Sequence, residues 1–371
     1  MRFSIKRDTL LKSLNLIQGI VEKKNTLPIL SNVLLEVKKN KINIVATDLD
    51  IVFYNEIEDV KVLTEGSTTT SAAILYDILR KISSNAEINF DLKNENKLSL
   101  KTENSDFNLL CLPTNNFPNF SDNFENKEIV FNKSKFLALL NKTKISISND
   151  DTRHYLNGVY LHTEVKNENF FLTAVATDSH RLSSSSIELE EQQNFTPLIL
   201  PRKTVFQLCN LLQETNSNIS MQTLESKIQF KIGSIRLTSK VIDGKFPDYR
   251  KVVPSNNDKF LTVSTKDFID SIERVTTVSL DRKEGVKLVI NKDSVRLSVN
   301  STSSGDGNEI IKAKYNSEET TVSFNSKYLI DIASVVEDRN LKISLKDSVS
   351  PVLIEDQEDK NSFYVVMPMK I

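Results

Sequence analysis

The chain is poor in the residues that most protein chemistry needs: among 371 residues there are two cysteines, three histidines and eight glycines. Cys111 and Cys209 sit in apolar settings, Leu110-Cys-Leu112 and Leu208-Cys-Asn210, and read as buried reduced thiols with no chemical role. His154, His162 and His180 follow neither the HExxH pattern nor a Cys/His ligand spacing, so no metal site is expected. The scarce glycines build no phosphate-cradling loop. Gly244-Lys245 lacks the upstream glycine, and Gly305-Asp-Gly307, read as part of a loop, lacks the third. No cofactor is expected. There is no run of about 18 apolar residues, and MRFSIKRDTL lacks the apolar core of a signal peptide. The expectation is a cytoplasmic protein with no membrane contact.

What the chain does have is internal repetition. Ala46-Thr47-Asp48 returns as Ala176-Thr177-Asp178, and Phe117-Pro118-Asn119-Phe120 returns as Phe246-Pro247-Asp248-Tyr249, at nearly the same offset. A strand, a polar turn and an amphipathic helix restart three times, near Phe3, Ile129 and Leu261. Apolar residues recur at helical spacing, as in Leu10, Leu14 and Ile17. Asp8 and Ser134 are expected N-caps in the first two copies, and a Ser or Thr before Asp267 in the third. A second helix recurs near residues 71–82, 202–213 and 326–336. Around the helices lie alternating segments, including a hairpin of Asn32–Val37 with Lys41–Thr47 and a strand over Val52–Val60. The 39% hydrophobic content lets each of three units bury its own core.

Charge is unevenly placed. The six expected helices together carry +7, so the remainder carries −8 in a chain whose net charge is −1. Basic helices in a nearly neutral molecule suit a polyanion on one face without general stickiness. Asp178-Ser179-His180 puts triad residue types in sequence, but neighbours on an extended stretch point in alternate directions and triads meet through the fold. The apolar tail, Met367-Pro-Met-Lys-Ile371, suggests a docking surface, since a bare chain end normally frays and is polar.

Further motifs are Leu27-Pro-Ile-Leu, Tyr155-Leu-Asn-Gly158, Val175-Ala-Thr-Asp-Ser-His-Arg-Leu182, Pro201-Arg-Lys203, Asp243-Gly-Lys-Phe-Pro-Asp-Tyr-Arg250, Asp347-Ser-Val349 and Tyr364-Val-Val-Met-Pro-Met369. On these the chain resembles, along essentially its whole length, the bacterial sliding clamp family, the β subunit of the DNA polymerase III holoenzyme. The resemblance implies an α+β fold of three clamp domains, 1–125, 126–254 and 255–371, each with two helices on antiparallel sheets. It implies a head-to-tail homodimer forming a ring, helices inside, threaded by double-stranded DNA without sequence preference. Its partners would be the polymerase III α subunit, the clamp loader, other polymerases and repair proteins, and it would perform no chemistry. The alternatives are an enzyme using Asp178 and His180, and a repeat scaffold that binds proteins but not DNA.

By the same resemblance, DNA contacts fall on Lys24, Arg153, His154, Tyr155, Arg202 and Lys203. Asp150 and Ala73 stand where a neutral polar and a basic residue are expected, with Lys142 and Lys144 as substitutes. The peptide-binding groove is lined by Leu156, Thr177, His180, Arg181, Leu182, Pro247, Lys251, Val252, Asn325, Tyr328, Val349, Val365, Val366, Met367, Pro368 and Met369. Lys283 would replace an apolar residue on its rim. Phe107 and Leu109 would meet Thr277 and Val278 of a second copy.

Overall fold

The computed structural model describes every residue except 23–25, 95, 121–123, 125–126, 194–195, 280–284 and 371. It divides into two units: Met1–Ser134 with Phe206–Val241, and Lys135–Val205 with Ile242–Ile371. Six α-helices occur among the described residues: α1 (Arg7–Leu16), α2 (Ala72–Lys81), α3 (Lys133–Lys144), α4 (Arg202–Glu214), α5 (Thr265–Thr276) and α6 (Ser326–Ala333). None is long and apolar enough to cross a membrane.

Local chemistry sets the helix starts. Ser71 accepts from Ile74 N at the head of α2, Ser264 from Asp267 N at α5, and Asn325 from Lys327 N and Tyr328 N at α6. Two expected caps are corrected. Ser134 lies inside α3 and donates its N–H to Asn132 Oδ1 at 2.9 Å, so Asn132 takes the capping role. Asp8 lies inside the first turn of α1, whose N-cap Lys6 makes no side-chain cap. Its carboxylate is held by Arg7 instead, at 2.5 Å, and accepts from Asn85 N.

In the first unit thirteen strands form one antiparallel sheet from Ile129–Phe131 to Val60–Thr64. Alternation in Ile51–Ile57 buries Ile51, Phe53 and Asn55 on one face. Asn55 donates to Ser13 Oγ of α1 at 2.7 Å, so this is the helix-packed face. The expected strand Val52–Val60 is two, Ile51–Ile57 and Val60–Thr64, broken at Glu58-Asp59. Gly66–Ser71, too polar to read as a strand, is one because pairing with Asn32–Lys38 buries Thr68, Thr69 and Thr70.

In the second unit twelve strands form another antiparallel sheet, from Leu198–Pro201 to Thr320–Asn325. An apolar cluster there gathers Phe268 and Ile272 of α5, Leu329 and Ile332 of α6, and strand residues such as Leu297 and Phe324. Gly305-Asp-Gly307 belongs to the strand Gly305–Tyr315 and not to a loop. A Cβ on Gly307 would lie 2.9 Å from Val275 O, so glycine there lets α5 approach the strand.

Both sheets run across the expected repeat borders. Ile235–Lys240 of the second repeat pairs with Ile51–Ile57 of the first, and Ser362–Val366 of the third pairs with Arg181–Leu189 of the second. In each case the last strand of one repeat covers an edge of the repeat before it, leaving fewer unpaired backbone groups.

Candidate functional site

The repeated Ala-Thr-Asp phrase folds the same way twice. Thr47 Oγ1 donates to Ile51 O at 2.8 Å and accepts from Leu49 N; Thr177 Oγ1 donates to Arg181 O at 2.7 Å and accepts from Ser179 N. Asp48 Oδ1 accepts from Asp50 N and Ile51 N, as Asp178 Oδ1 does from His180 N and Arg181 N. Leu49 and Ser179 share a left-handed backbone, φ 79° and 76°. Short side-chain acceptors followed by a left-handed residue make a tight, self-satisfied turn. Asp178 is therefore committed to its own turn and to Arg181 Nε at 3.1 Å, which leaves no triad with His180.

In the second copy this turn joins a larger constellation. The buried Arg181 also donates to Asp331 Oδ2 at 2.7 Å, and its guanidinium lies 4.3 Å from the Tyr328 ring centroid. Nothing in the sequence singles out Asp331; only the placement of α6 brings it to the turn. The tail is pinned by its backbone, Met367 N to His180 O and Met369 N to Ser323 O, both at 2.8 Å. The side chains of Met367 and Met369 stay partly exposed beside exposed His180. Leu156, Leu182 and Val365 are buried in one apolar cluster with Phe246 and Tyr249, and Val366 is buried in the neighbouring one. Pro247, Lys251, Val252 and Val349 are exposed, and Lys251 pairs with Asp248 at 3.4 Å. Asn325 is held as the α6 cap. Lys283 lies outside the described residues.

The linker beneath the site is latched by aromatic packing. Tyr160 stacks on Phe246 with centroids 4.8 Å apart, and His162 Nε2 lies 3.1 Å from the Tyr249 hydroxyl. Burial holds His162 below the ordinary histidine range. Glu164 pairs with Arg250 at 3.1 Å and with Lys166 at 2.7 Å. The repeated Phe-Pro-x-aromatic phrase was the only signal for this latch.

The expected DNA-contacting residues fall together in part. Arg153, His154 and Tyr155 lie in a 3-10 turn, Asp151–Leu156, whose chain continues to Gly158, paired with Pro201; Arg202 N donates to Asn157 O at 3.0 Å. Arg202 and Lys203 at the head of α4 are thus neighbours of the turn. A Cβ on Gly158 would meet Leu200 O at 2.3 Å, so only glycine permits this approach. Asp150 holds Arg153 Nε at 2.9 Å, and Arg153 also donates to Ser179 Oγ at 2.6 Å. His154 Nε2 lies 3.2 Å from Asp243 O. Lys24 lies outside the described residues.

One of the two substitute lysines, Lys142, needs correction. Lys142 is buried, its side chain 7% exposed, and is paired with Glu337 at 2.8 Å and Asp359 at 2.9 Å. Burial works against its charge, but hydrogen bonds to Glu337 and Asp359 overcome this and raise its pKa. It ties α3 to the third repeat and cannot meet a phosphate. Lys144 is half-buried and donates to the neutral amide of Asn141 at 2.6 Å, which leaves its expected role open, whereas in α1 Arg7 is spent on Asp8 and the Leu79 carbonyl. The helical surplus read from the sequence therefore overstates the positive charge available at the surface.

Each unit has, among the described residues, an inner strand whose edge is only partly paired. In Asp106–Leu112 only Cys111 and Leu112 have partners on the side of Gly66–Ser71, which leaves residues 106–110 open there. In Gly305–Tyr315 only Ala313 and Tyr315, with Lys314 between them, pair with Lys259–Ser264, leaving residues 305–312 open. Phe107 borders a cavity with Ile74, Ile78 and Ile82 of the α2 region, and Leu109 is buried. Thr277, the exposed C-cap of α5, and half-buried Val278 follow the helix that packs on the other strand.

Known proteins share this geometry. Family models of the DNA polymerase III beta subunit match the chain as N-terminal domain over residues 1–121, central domain over 130–248 and C-terminal domain over 250–370. The beta sliding clamp of Caulobacter vibrioides is 34% identical over 373 residues and that of Escherichia coli K12 32% over 371, with both chains covered completely in each case. A solved DnaN sliding clamp from Bartonella birtlesii bound to griselimycin has a TM-score of 0.95 at 37% identity, covering 100% of both chains. On three adjoining domain matches, full-length relatives above 30% identity and a shared fold, the chain belongs to the β sliding clamp family, the β subunit of bacterial DNA polymerase III.

Proposed function

We propose that two copies of the chain close head to tail around duplex DNA, with repeats at residues 1–125, 126–254 and 255–371. The function is that of the family: a DNA sliding clamp tethers the replicative polymerase for processivity and performs no chemistry itself. One observation carries the closure. Twice within the chain the last strand of one repeat covers the same edge of the preceding repeat. The last strand of the first repeat, Asp106–Leu112, and the corresponding edge of the third, Gly305–Tyr315, are the two left over. Pairing them between copies applies the same junction a third time, and places Phe107 and Leu109 near Thr277 and Val278 of the second copy.

A closed ring cannot leave DNA sideways, so weak, sequence-independent phosphate contacts suffice and permit sliding. Lys24, Arg153, His154, Tyr155, Arg202 and Lys203 supply them. Arg153, restrained by Asp150 and Ser179, contributes less than its charge suggests. The polymerase α subunit, the clamp loader and repair factors compete for the groove around Arg181, Tyr328, Val349 and the tail. Exposed Val and Met walls accept Leu or Phe anchors, and adaptable methionines tolerate several partners. The protein works in the cytoplasm, where those partners are.

The test is retention on circular against linear duplex after loading with clamp loader and ATP. Loaded circles should hold the protein at salt concentrations that abolish direct binding. Parallel loss of both would indicate ordinary electrostatic binding and no topological link.

A further inference from the structure

We propose that the first sheet junction, where Ile235–Lys240 pairs with Ile51–Ile57, carries a second docking groove, for a short extended peptide with an apolar centre and opposite charges at its ends. The two junctions correspond residue by residue. Arg236, Tyr54, Val45 and Leu34 lie side by side across four strands, and their counterparts in the second unit are Phe363, Ser184, Val175 and Tyr160. The next row, Thr238, Val52 and Thr47, matches Val365, Leu182 and Thr177. Phe117 and Pro118 border the first junction as Phe246 borders the second.

The side chains differ in a way that leaves room. In the second unit Phe363 and the stacked Tyr160 and Phe246 pack against this face. In the first unit the same place is a cavity of about 250 Å3, lined by Leu34, Val52, Tyr54, Phe117 and Phe120 among others. It lies on the face of the sheet away from α1, since Asn55, of opposite parity to Tyr54, points to that helix.

The two charges on its walls define the occupant. Arg236 is exposed, lies 4.0 Å from the Tyr54 ring centroid, and has no carboxylate within ion-pair distance among the described residues. Glu36 lines the same cavity from Asn32–Lys38, three strands away. At about 4.8 Å per strand, and with Glu36 two residues (about 7 Å) along its strand from Leu34 of the Arg236 row, the two are separated by roughly 16 Å, the span of about five extended residues. A peptide with an acidic residue at Arg236, a basic residue at Glu36 and Leu or Phe between them satisfies both ends and covers the apolar rows. The inference stands apart from the groove at Arg181 and does not require it.

The probe is a fluorescein-labelled peptide, Lys-Ser-Leu-Phe-Asp, titrated with the full-length protein by fluorescence polarisation. Because Arg236 is exposed, Arg236→Glu keeps the fold, and Arg236→Gln serves as the milder variant. The expected result is saturable binding that Arg236→Glu weakens by at least about tenfold, that Arg236→Gln weakens by less, and that deletion of Met367–Ile371 changes by less than about twofold. The neutral peptide Gln-Ser-Leu-Phe-Asn should bind at least about tenfold more weakly than the charged one. Unchanged affinity in Arg236→Glu, or loss of binding on tail deletion, would overturn the proposal, the latter by moving the peptide to the other groove. Absence of binding by the intact protein at about 1 mM would do so as well.

Discussion

Replacing Lys142 with methionine separates the role read from the sequence from the one the fold gives it. The lysine stem is buried and its ammonium bridges Glu337 and Asp359. Removing one partner of a buried pair costs about 3–5 kcal/mol because the other charge is stranded. Here Glu337 is 62% exposed and can return to water, whereas Asp359 is 23% exposed and cannot do so fully. The cost should therefore fall to about 2–3 kcal/mol. Spread over a unit of this size, that lowers the melting temperature by about 4–12 °C. The chain has no tryptophan, so unfolding is best followed by far-UV circular dichroism. Lys142→Met combined with Asp359→Asn removes the stranded charge and should recover at least about 1 kcal/mol relative to the single variant. The salt dependence of direct duplex binding should be the same in Lys142→Met as in the parent, since a paired, buried ammonium releases no counterion. A shallower salt slope with unchanged stability would refute the assignment and return Lys142 to the DNA-facing surface.

Phe107→Asp should shift dimer to monomer at micromolar concentration in sedimentation, since burying a Phe stabilises by roughly 1.5–3 kcal/mol; an unchanged dimer would place the junction elsewhere. Deleting Met367–Ile371 should leave a folded dimer yet weaken binding of a Gln-Leu-x-Leu-Phe-like peptide by at least about tenfold, roughly 1.4 kcal/mol. Undiminished affinity in that titration would move the site away from the tail. His162 is buried with its pKa depressed, so the unfolded chain takes up its proton more readily. Its contribution to stability is present above the ordinary value of 6.5 and is lost as pH falls below it. Acidification from about pH 7 to about pH 5 should then lower the melting temperature of the parent more than that of His162→Gln; equal losses would show that the imidazole does not titrate against the latch.

The threefold repetition, the helix positions and the two Ala-Thr-Asp turns were legible in the sequence because each rests on local chemistry. Apolar spacing marks a helix face, and a Thr and an Asp followed by a left-handed residue close a turn within five residues, whatever surrounds them. Gly66–Ser71 could not be read, since its strand identity comes from a partner strand, Asn32–Lys38, that is distant in the chain. Charges were legible in number but not in use. Lys142 looks like any basic residue of an amphipathic helix until Asp359, 217 residues later, is brought to 2.9 Å. Asp331 likewise becomes part of the site only when α6 sets it beside Arg181. The sequence by itself therefore determined the units and their turns, whose hydrogen bonds are short-range. Tertiary structure decided which strands join across repeats, which edges stay open and which cations remain free, because backbone pairing and desolvation depend on distant partners.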